Sequence, residues 1–311
     1  MKVAILAGGA GTRLSEETVS RPKPMVEIGG RPILWHIKQH YAGFGHDEFA
    51  IALGYKGKII RDFFVEECAS AGSVRVDFAN SVISQPQPMS ATSDWLVDLV
   101  DTGEKTNTGG RIKRLEPFVG DETFMLTWGD GVSDVDLDSL LAFHRELGRL
   151  ASLTAVHPPG RFGCLDLAGT SVSSFREKPA QTSDWINGAF FVLEPEIFDY
   201  IEGDDTQWEL EPMERLAEEG QLQAWKHEGF WQCMDTLKEK HFLESLWDSG
   251  NAPWKTWEKD DESSSNGSSG IHRNHPRTDA YLPPGMTSPV STADCSRTRT
   301  LVRHQNSPHA S

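Results

Sequence analysis

At 311 residues the chain is long enough for one large α/β domain or two smaller ones, and a hydrophobic share of 38% suffices for a core at this length. Its net charge of −16 excludes general nucleic-acid binding, which needs a basic footprint, so any phosphate ligand must meet locally placed Lys, Arg, backbone N–H groups or a metal. The four cysteines (Cys68, Cys164, Cys233, Cys295) form no C-x-x-C pair and read as free thiols of a reducing compartment. No apolar run approaches the roughly 18 residues of a spanning helix. The chain starts directly into a strand, without a signal-peptide layout. The expectation is a soluble cytoplasmic protein with no membrane partner.

Residues 2–7 are apolar and rich in β-branched side chains, which predicts a buried strand. A helix is expected over 32–45, a second buried strand from Phe49 ending at Gly54-Tyr55-Lys56-Gly57, and a helix from Ile59 to Ala69. This strand–helix rhythm predicts a doubly wound, mostly parallel mixed sheet of the Rossmann-like α/β class. Next come a strand from Val74 to Ala79, a polar excursion over 80–95 and a strand from Trp95. A Gly-rich turn at Thr106–Arg111, a helical or mixed stretch to Phe118 and a buried strand from Thr123 ending in Gly129-Asp130-Gly131 follow.

Further on, helices are expected over Asp136–Leu147, Pro195–Ile201, Glu209–Glu219 and Leu237–Ser249. Strands are expected over Ala151–Val156, Ser171–Glu177 and Gly188–Leu193, and the paired tryptophans Trp254 and Trp257 close the body. After Glu258 the composition turns to Glu-Ser-Ser-Ser-Asn-Gly-Ser-Ser-Gly and scattered Pro, Arg, His, Ser and Thr. The expected organisation is a folded body over 1–258 and a disordered tail over 259–311. Only six basic and five acidic residues lie in that tail, so the body holds 24 basic against 41 acidic residues and carries all the acidity.

The stretch after the first strand holds the strongest chemical signal. Leu6-Ala7-Gly8-Gly9-Ala10-Gly11-Thr12-Arg13 offers a tight turn, close backbone N–H groups, a hydroxyl and a fixed positive charge. The dinucleotide fingerprint fails at Leu14, and the NTPase loop lacks its Gly-Lys. Lys23, ten residues on and between two prolines, is either a solvated surface lysine or a second phosphate-binding cation. Asp130 sits at a strand end, where either a turn or a divalent-cation ligand is expected. Asp235, before Thr236 and Leu237, fits either a helix N-cap or a partner for Asp130. Glu177-Lys178-Pro179 reads as a surface pair before a turn or as a ligand motif. His36 and His40 read as packing residues, and no Ser-His-Asp or Cys-His constellation is present.

The run Gly8-Gly9-Ala10-Gly11-Thr12-Arg13-Leu14 followed by Lys23-Pro24-Met25 resembles the signature of the sugar-1-phosphate nucleotidyltransferase family. The longer run through Val26-Glu27-Ile28-Gly29-Gly30 and Pro32–Ile37 resembles its glucose-1-phosphate cytidylyltransferase branch, and the likeness continues to about Glu258. The resemblance implies transfer of a cytidylyl group from CTP to glucose 1-phosphate. Leu6, Ala7, Gly8, Gly9, Gly11, Thr12, Arg13, Lys23 and Arg111 would hold the nucleotide, with Arg13, Lys23 and Asp130 as catalytic groups. Asp130 and Asp235 would hold Mg²⁺. Gly163, Glu177, Lys178, Asn187 and Gly188 would hold the sugar phosphate. Cys233 stands where that branch commonly has Pro. The resemblance also implies a cytoplasmic homo-oligomer, a hexamer by family habit, in CDP-glucose and O-antigen or polysaccharide biosynthesis. Two other readings use the same residues: a different NTP or sugar phosphate, and a non-catalytic sugar-nucleotide-binding paralogue.

Overall fold

The computed structural model describes residues 1–70, 72–77, 82–88, 95–159, 164–168, 171–176 and 184–258. Residues 259–311, expected as a tail, lie outside them, as do the expected ligand residues Gly163, Glu177 and Lys178. Seven strands build the central sheet: β1 (Lys2–Leu6), β2 (Glu48–Leu53), β3 (Leu96–Asp101), β4 (Phe124–Trp128), β5 (Ala151–Val156), β6 (Ile186–Leu193) and β7 (Leu222–His227). Their spatial order is β7-β5-β6-β4-β1-β2-β3. All run parallel except β6, which is antiparallel to both neighbours. The expected mostly parallel, mixed α/β sheet is what forms.

Strand side chains alternate between two faces, and so does the core. Val3 and Ile5 of β1, Phe49 and Ile51 of β2 and Phe190 and Val192 of β6 join one cluster. It packs against α1 (Ile33–Gly43), α2 (Gly57–Ser70), α4 (Leu137–Leu147) and α6 (Leu237–Asp248). Ala4, Leu6, Ala50, Ala52, Phe191 and Leu193 face the other way, toward α3 (Thr108–Val119) and α5 (Glu211–Glu218). Burying each large side chain stabilises the fold by roughly 1.5–3 kcal/mol. That contribution requires both faces to be covered, which gives the doubly wound arrangement.

The order of the strands places the site. The sequence runs outward from β1 through β2 to β3, then returns to the other side of β1 at β4. The chains leaving β1 and β4 therefore diverge at their carboxyl ends and open a crevice. The Gly129 N–H donates to the Leu6 carbonyl at 2.9 Å, so the two exits begin side by side.

Four expectations change. The described part of the polar excursion, Val82–Pro88, is a strand paired antiparallel with Gly72–Asp77; its two prolines, which suggested a loop, are tolerated in a two-stranded ladder. Thr108-Gly109-Gly110-Arg111 is not a turn but the start of α3. Its glycines permit close approach: a Cβ on Gly110 would lie 2.5 Å from the Asp204 Cα, and one on Gly109 2.7 Å from the Thr206 carbonyl oxygen. The edge strand β7 was not expected, because Leu222-Gln223-Ala224-Trp225-Lys226-His227 buries little on either face. Cys164–Ala168 pairs with Ser171–Arg176 as a further unexpected ladder.

The body's C-terminal end is stapled by aromatics, as expected. Trp254 is fully buried and its Nε1 donates to His36 Nδ1 at 3.4 Å. His36 Nε2 donates to the Ile28 carbonyl at 2.8 Å. Burial pushes both His36 and His40 down to about 4, so they are neutral packing groups.

Lys38 of α1 is fully buried, and among the described residues its Nζ has no hydrogen-bond partner. The Nζ lies 3.8, 4.1 and 4.9 Å from the ring centroids of Trp95, Phe64 and Phe49. Burial pushes the amine down to about 6, against a distant Glu67 charge that raises it. The rings favour the charged form by roughly 2 kcal/mol and offset only part of that desolvation. The unfolded lysine titrates near 10.5, so the neutral buried form is fully favoured only above that pH, and its advantage is lost as pH falls toward about 6. Lys38→Met is therefore expected to stabilise the protein at pH 7 by on the order of 2 kcal/mol. Thermal unfolding from pH 7 to 10 checks this: wild-type Tm should gain on the variant as pH rises, and a constant gap would contradict the account.

Candidate active site

The crevice between the exits of β1 and β4 is floored by close backbone packing. Ala7 N–H donates to the Ala52 carbonyl at 3.0 Å, and Tyr55 N–H to the Gly8 carbonyl at 3.1 Å. A Cβ on Gly8 would lie 2.2 Å from Arg111 Nη1, and one on Gly54 2.3 Å from the same atom, so both positions require glycine. The Arg111 guanidinium, buried beneath this turn, donates from Nη1 to Leu53 O (3.1 Å), Thr102 Oγ1 (2.7 Å) and Gly103 O (2.8 Å) and from Nη2 to Glu104 O (3.2 Å). Burial lowers its pKa from the ordinary arginine value. It ties the end of β2 to the loop after β3 and packs beneath the first Gly-rich turn.

Above this floor Gly9 and Ala10 are exposed, with open space where a Gly9 Cβ would project. Gly11 is left-handed (φ 62°) and turns the chain into a 3-10 turn, Thr12–Leu14. Leu14 is fully buried and anchors that turn, while Thr12 and Arg13 face solvent. Thr18 Oγ1 donates at 3.0 Å to the Gly11 and Leu14 carbonyls and holds the turn from behind.

The charges meet at Lys23. Pro22 and Pro24 restrict the backbone on both sides, and Lys23–Met25 is a 3-10 turn that points Lys23 inward. The solvated-lysine alternative is overturned: Lys23 is 7% exposed. Its Nζ donates to Asp130 Oδ2 at 2.6 Å and to Asp235 Oδ1. Arg13 Nη1 pairs with the other oxygen, Asp235 Oδ2, at 2.6 Å. Burial pulls the Lys23 pKa down, but Asp130 and Asp235 together outweigh it and hold the ammonium above its ordinary range. The cluster is thus two carboxylates sharing one buried cation, with a second cation at its exposed edge.

Local structure explains how residues 107 and 212 positions from Lys23 arrive there. Gly131–Ser133 pairs antiparallel with Trp231–Cys233, and Met234 N–H donates to the Asp130 carbonyl at 2.8 Å. This short ladder brings the two aspartates side by side. Asp235 is not the cap of α6. Thr236 is the N-cap, with Glu239 completing a capping box, and Glu239 Oε2 also accepts the Asp235 N–H at 2.7 Å. The Asp235 carboxylate is thereby left to the cluster. The Thr236-Leu237-Lys238-Glu239 spacing is a capping-box signature visible in the sequence, and it identifies Thr236 rather than Asp235 as the cap. Cys233 lies 4.0 Å from Asp235 Oδ2, and burial first, then Asp235, pushes its thiol up to about 12, so it adds no charge.

Asn187 and Gly188 lie on β6, on the far side of this ladder. Trp231 Nε1 donates to the Gly188 carbonyl at 2.7 Å, which links them to the segment carrying Asp235. Asn187 Oδ1 accepts the Ala189 N–H at 2.8 Å. Glu177, Lys178 and Gly163 lie outside the described residues. Among the described residues no group of three or more His, Cys, Asp or Glu could hold a metal, so a cation here would have two carboxylates from the protein. No helix among them is long and apolar enough to cross a membrane.

Comparison with known proteins places this geometry. Residues 2–240 match the profile of the family described as "Nucleotidyl transferase". The chain is 50% identical over 259 residues to a glucose-1-phosphate cytidylyltransferase of Salmonella typhimurium, covering 83% of this chain and all of that one. Among solved structures it superposes on HddC from Yersinia pseudotuberculosis with a TM-score of 0.59 at 24% identity, over 79% of this chain and 99% of that one. It also superposes on a UDP-glucose pyrophosphorylase complexed with UDP-glucose, with a TM-score of 0.55 at 16% identity over 80% and 98%. These two likenesses bear on the fold alone. With the family profile spanning most of the folded body, and a full-length relative at 50% identity, the chain belongs to the nucleotidyl transferase family.

Proposed function

We infer that the protein transfers the cytidylyl group of CTP to α-D-glucose 1-phosphate, releasing pyrophosphate and giving CDP-glucose. One observation carries the catalytic reading: Lys23 and Arg13 converge with Asp130 and Asp235 at the carboxyl ends of β1 and β4. The relative at 50% identity supports the choice of CTP and glucose 1-phosphate within the family. All four charged positions are kept, which disfavours a non-catalytic paralogue.

The nucleophile is a phosphate oxygen of glucose 1-phosphate. A phosphate monoester loses its second proton near pH 6, so at neutral pH it needs no general base. It attacks the α-phosphorus in line as pyrophosphate leaves. The protein must therefore position two polyanions and stabilise growing negative charge. The exposed amides of Gly9 to Thr12 and the Thr12 hydroxyl suit the triphosphate. Arg13 and Lys23 supply the charge, and Arg111 supports the turn beneath the nucleotide.

Asn187 and Gly188 would meet the sugar, with Glu177, Lys178 and Gly163 completing that half. Because Asn187 Oδ1 is already engaged, its Nδ2 hydrogens are the donors it would offer a hydroxyl. Asp130 and Asp235 fit Mg²⁺: they are hard oxygen donors that already converge on one cation, and Mg²⁺ is commonly held by one or two carboxylates plus substrate phosphates. When bound it would neutralise charge on the phosphoryl oxygens. The resemblance extends the reading to a cytoplasmic homo-oligomer in nucleotide-sugar synthesis for polysaccharide.

Pyrophosphate release, measured with glucose 1-phosphate, Mg²⁺ and each NTP in turn, should be greatest with CTP. No release with any NTP defeats the enzyme assignment, and preference for another NTP defeats the base assignment. The displacement is direct, so a chiral α-phosphorothioate should invert; net retention would show a covalent intermediate. Lys23→Met should lower kcat/KM by about 10²–10³-fold. It should also cost about 3 kcal/mol of stability, because it removes the buried cation shared by Asp130 and Asp235 and leaves Asp235 with the exposed Arg13. Adding Asp235→Asn should recover part of that stability and none of the activity. Denaturant unfolding of the single and double variants checks the coupling.

A further inference from the structure

Among the described residues only two non-glycine residues have a left-handed backbone, Lys56 (φ 52°) and Ala189 (φ 64°). Ala189 follows Asn187 and Gly188 in the proposed sugar half. Lys56 lies in the turn after β2, beside the nucleotide half. Non-glycine residues held in this region are strained and cluster at functional sites. Lys56 is followed by Gly57, with Gly54 two residues before it, so the turn does not lack residues suited to that conformation. What distinguishes Lys56 is its side chain. The Nζ donates to the Thr18 carbonyl at 2.9 Å and to the Val19 carbonyl. These acceptors end the short helical turn Ser15–Thr18, where an ammonium also complements the carbonyl end of the helix.

The same four-residue turn grips the first Gly-rich loop twice. Tyr55 N–H holds the Gly8 carbonyl where the loop begins, and Lys56 Nζ holds Thr18 and Val19 where it ends. Between these two grips lie Gly9 to Arg13. Buried Leu14 and Thr18 anchor the middle of this stretch, while Val19 beyond them is 77% exposed, so there the chain is held by hydrogen bonds, Lys56 Nζ to the Thr18 and Val19 carbonyls among them.

We propose that Lys56 is a positioning residue for nucleotide binding: it straps the end of the loop so that the Gly9–Arg13 donors are held facing the triphosphate. This rests on the reading that this loop holds the nucleotide. Lys56 touches no reacting group in it, so the strap acts on nucleotide affinity more than on the chemical step. The left-handed backbone is the conformation that carries this side chain at this place.

Three variants test it. Lys56→Met removes the donor and keeps the backbone strain. Lys56→Gly removes both, and Lys56→Arg keeps a cation able to donate to both carbonyls. Hydrogen exchange of the full chain without nucleotide reads the strap itself. Amides of residues 9–20 should exchange at least about fivefold faster in the Met and Gly variants, with β4 unchanged. CTP binding by calorimetry and steady-state kinetics read its consequence. The Kd and KM for CTP should rise about tenfold or more in Met and Gly while kcat changes less than about threefold, and Arg should restore the affinity.

Lys56→Gly should melt within about 3 °C of wild type or above it, because glycine relieves the left-handed strain. That outcome separates lost positioning from lost folding. Unchanged exchange over 9–20, or unchanged CTP affinity in Lys56→Gly, overturns the proposal. Faster exchange over 9–20 in the Met and Gly variants, with a wild type that binds no NTP, would instead overturn the functional reading and leave the strap standing.

Discussion

The arrangement depends on one buried ammonium. Lys23 is held between Asp130 and Asp235, and each of the three is brought there by a different part of the chain. An isolated charge at 7% exposure would be strongly disfavoured, and so would the two carboxylates without the buried cation between them. The triad therefore forms as a unit or not at all. Its formation requires the proline-flanked turn at 22–24, the exit of β4 and the short ladder between Gly131–Ser133 and Trp231–Cys233 to be in register together. Such a cluster adds little net stability compared with apolar packing of the same volume. What it adds is a fixed relation between the β1 loop and the two carboxylates.

The surrounding fold makes that relation rigid through close backbone approach. Gly8 and Gly54 lie against the Arg111 guanidinium with no room for a Cβ, and Gly129 packs 3.0 Å from both the Leu6 oxygen and a Pro24 carbon at the position its Cβ would take. Small residues on the α3 face of β1 and β2 (Ala4, Ala50, Ala52) let that helix sit close and carry Arg111 beneath the loop. The Arg111 side chain is spent on four backbone and hydroxyl acceptors, so it functions first as a tie between loops. A loop built this way changes shape only by breaking several buried hydrogen bonds at once.

What was legible in the sequence follows from range. The buried strands, and the glycine-rich exits that follow β1 and β4, carry local patterns whose causes lie within a few residues, and they form where those patterns place them. The Gly109-Gly110 pair misled because glycine signals a turn locally, whereas here it answers to residues Asp204 to Thr206 across the fold. The edge strand β7 was illegible because a strand paired on one side need not bury an alternating face. Asp235 and Thr236 both suit an N-cap, and only the position of Glu239 distinguishes them. Lys56 has no local signature at all. Its role arises from where its side chain ends, beside Thr18 and Val19, 38 and 37 residues earlier in the chain.

Charge balance then explains how so acidic a body handles polyanions. Within the cluster Arg13 and Lys23 cancel Asp130 and Asp235, so the site of the free protein is neutral while the rest of the body is strongly negative. A phosphate monoester alone brings about −1.5 to −2 at neutral pH, and a triphosphate brings more. Two cations cannot compensate both substrates while still neutralising two carboxylates. Either the carboxylates are relieved of their lysine and arginine by another cation, or the substrates are not fully compensated. On the proposed reading, a divalent ion held by Asp130 and Asp235 would supply that positive charge, and Lys23 and Arg13 would then be available to the phosphates. The negative surroundings then work in the same direction. On the proposed reading they would repel polyanions that bring no accompanying cation, so the acidity that first argues against phosphate binding would add to selectivity.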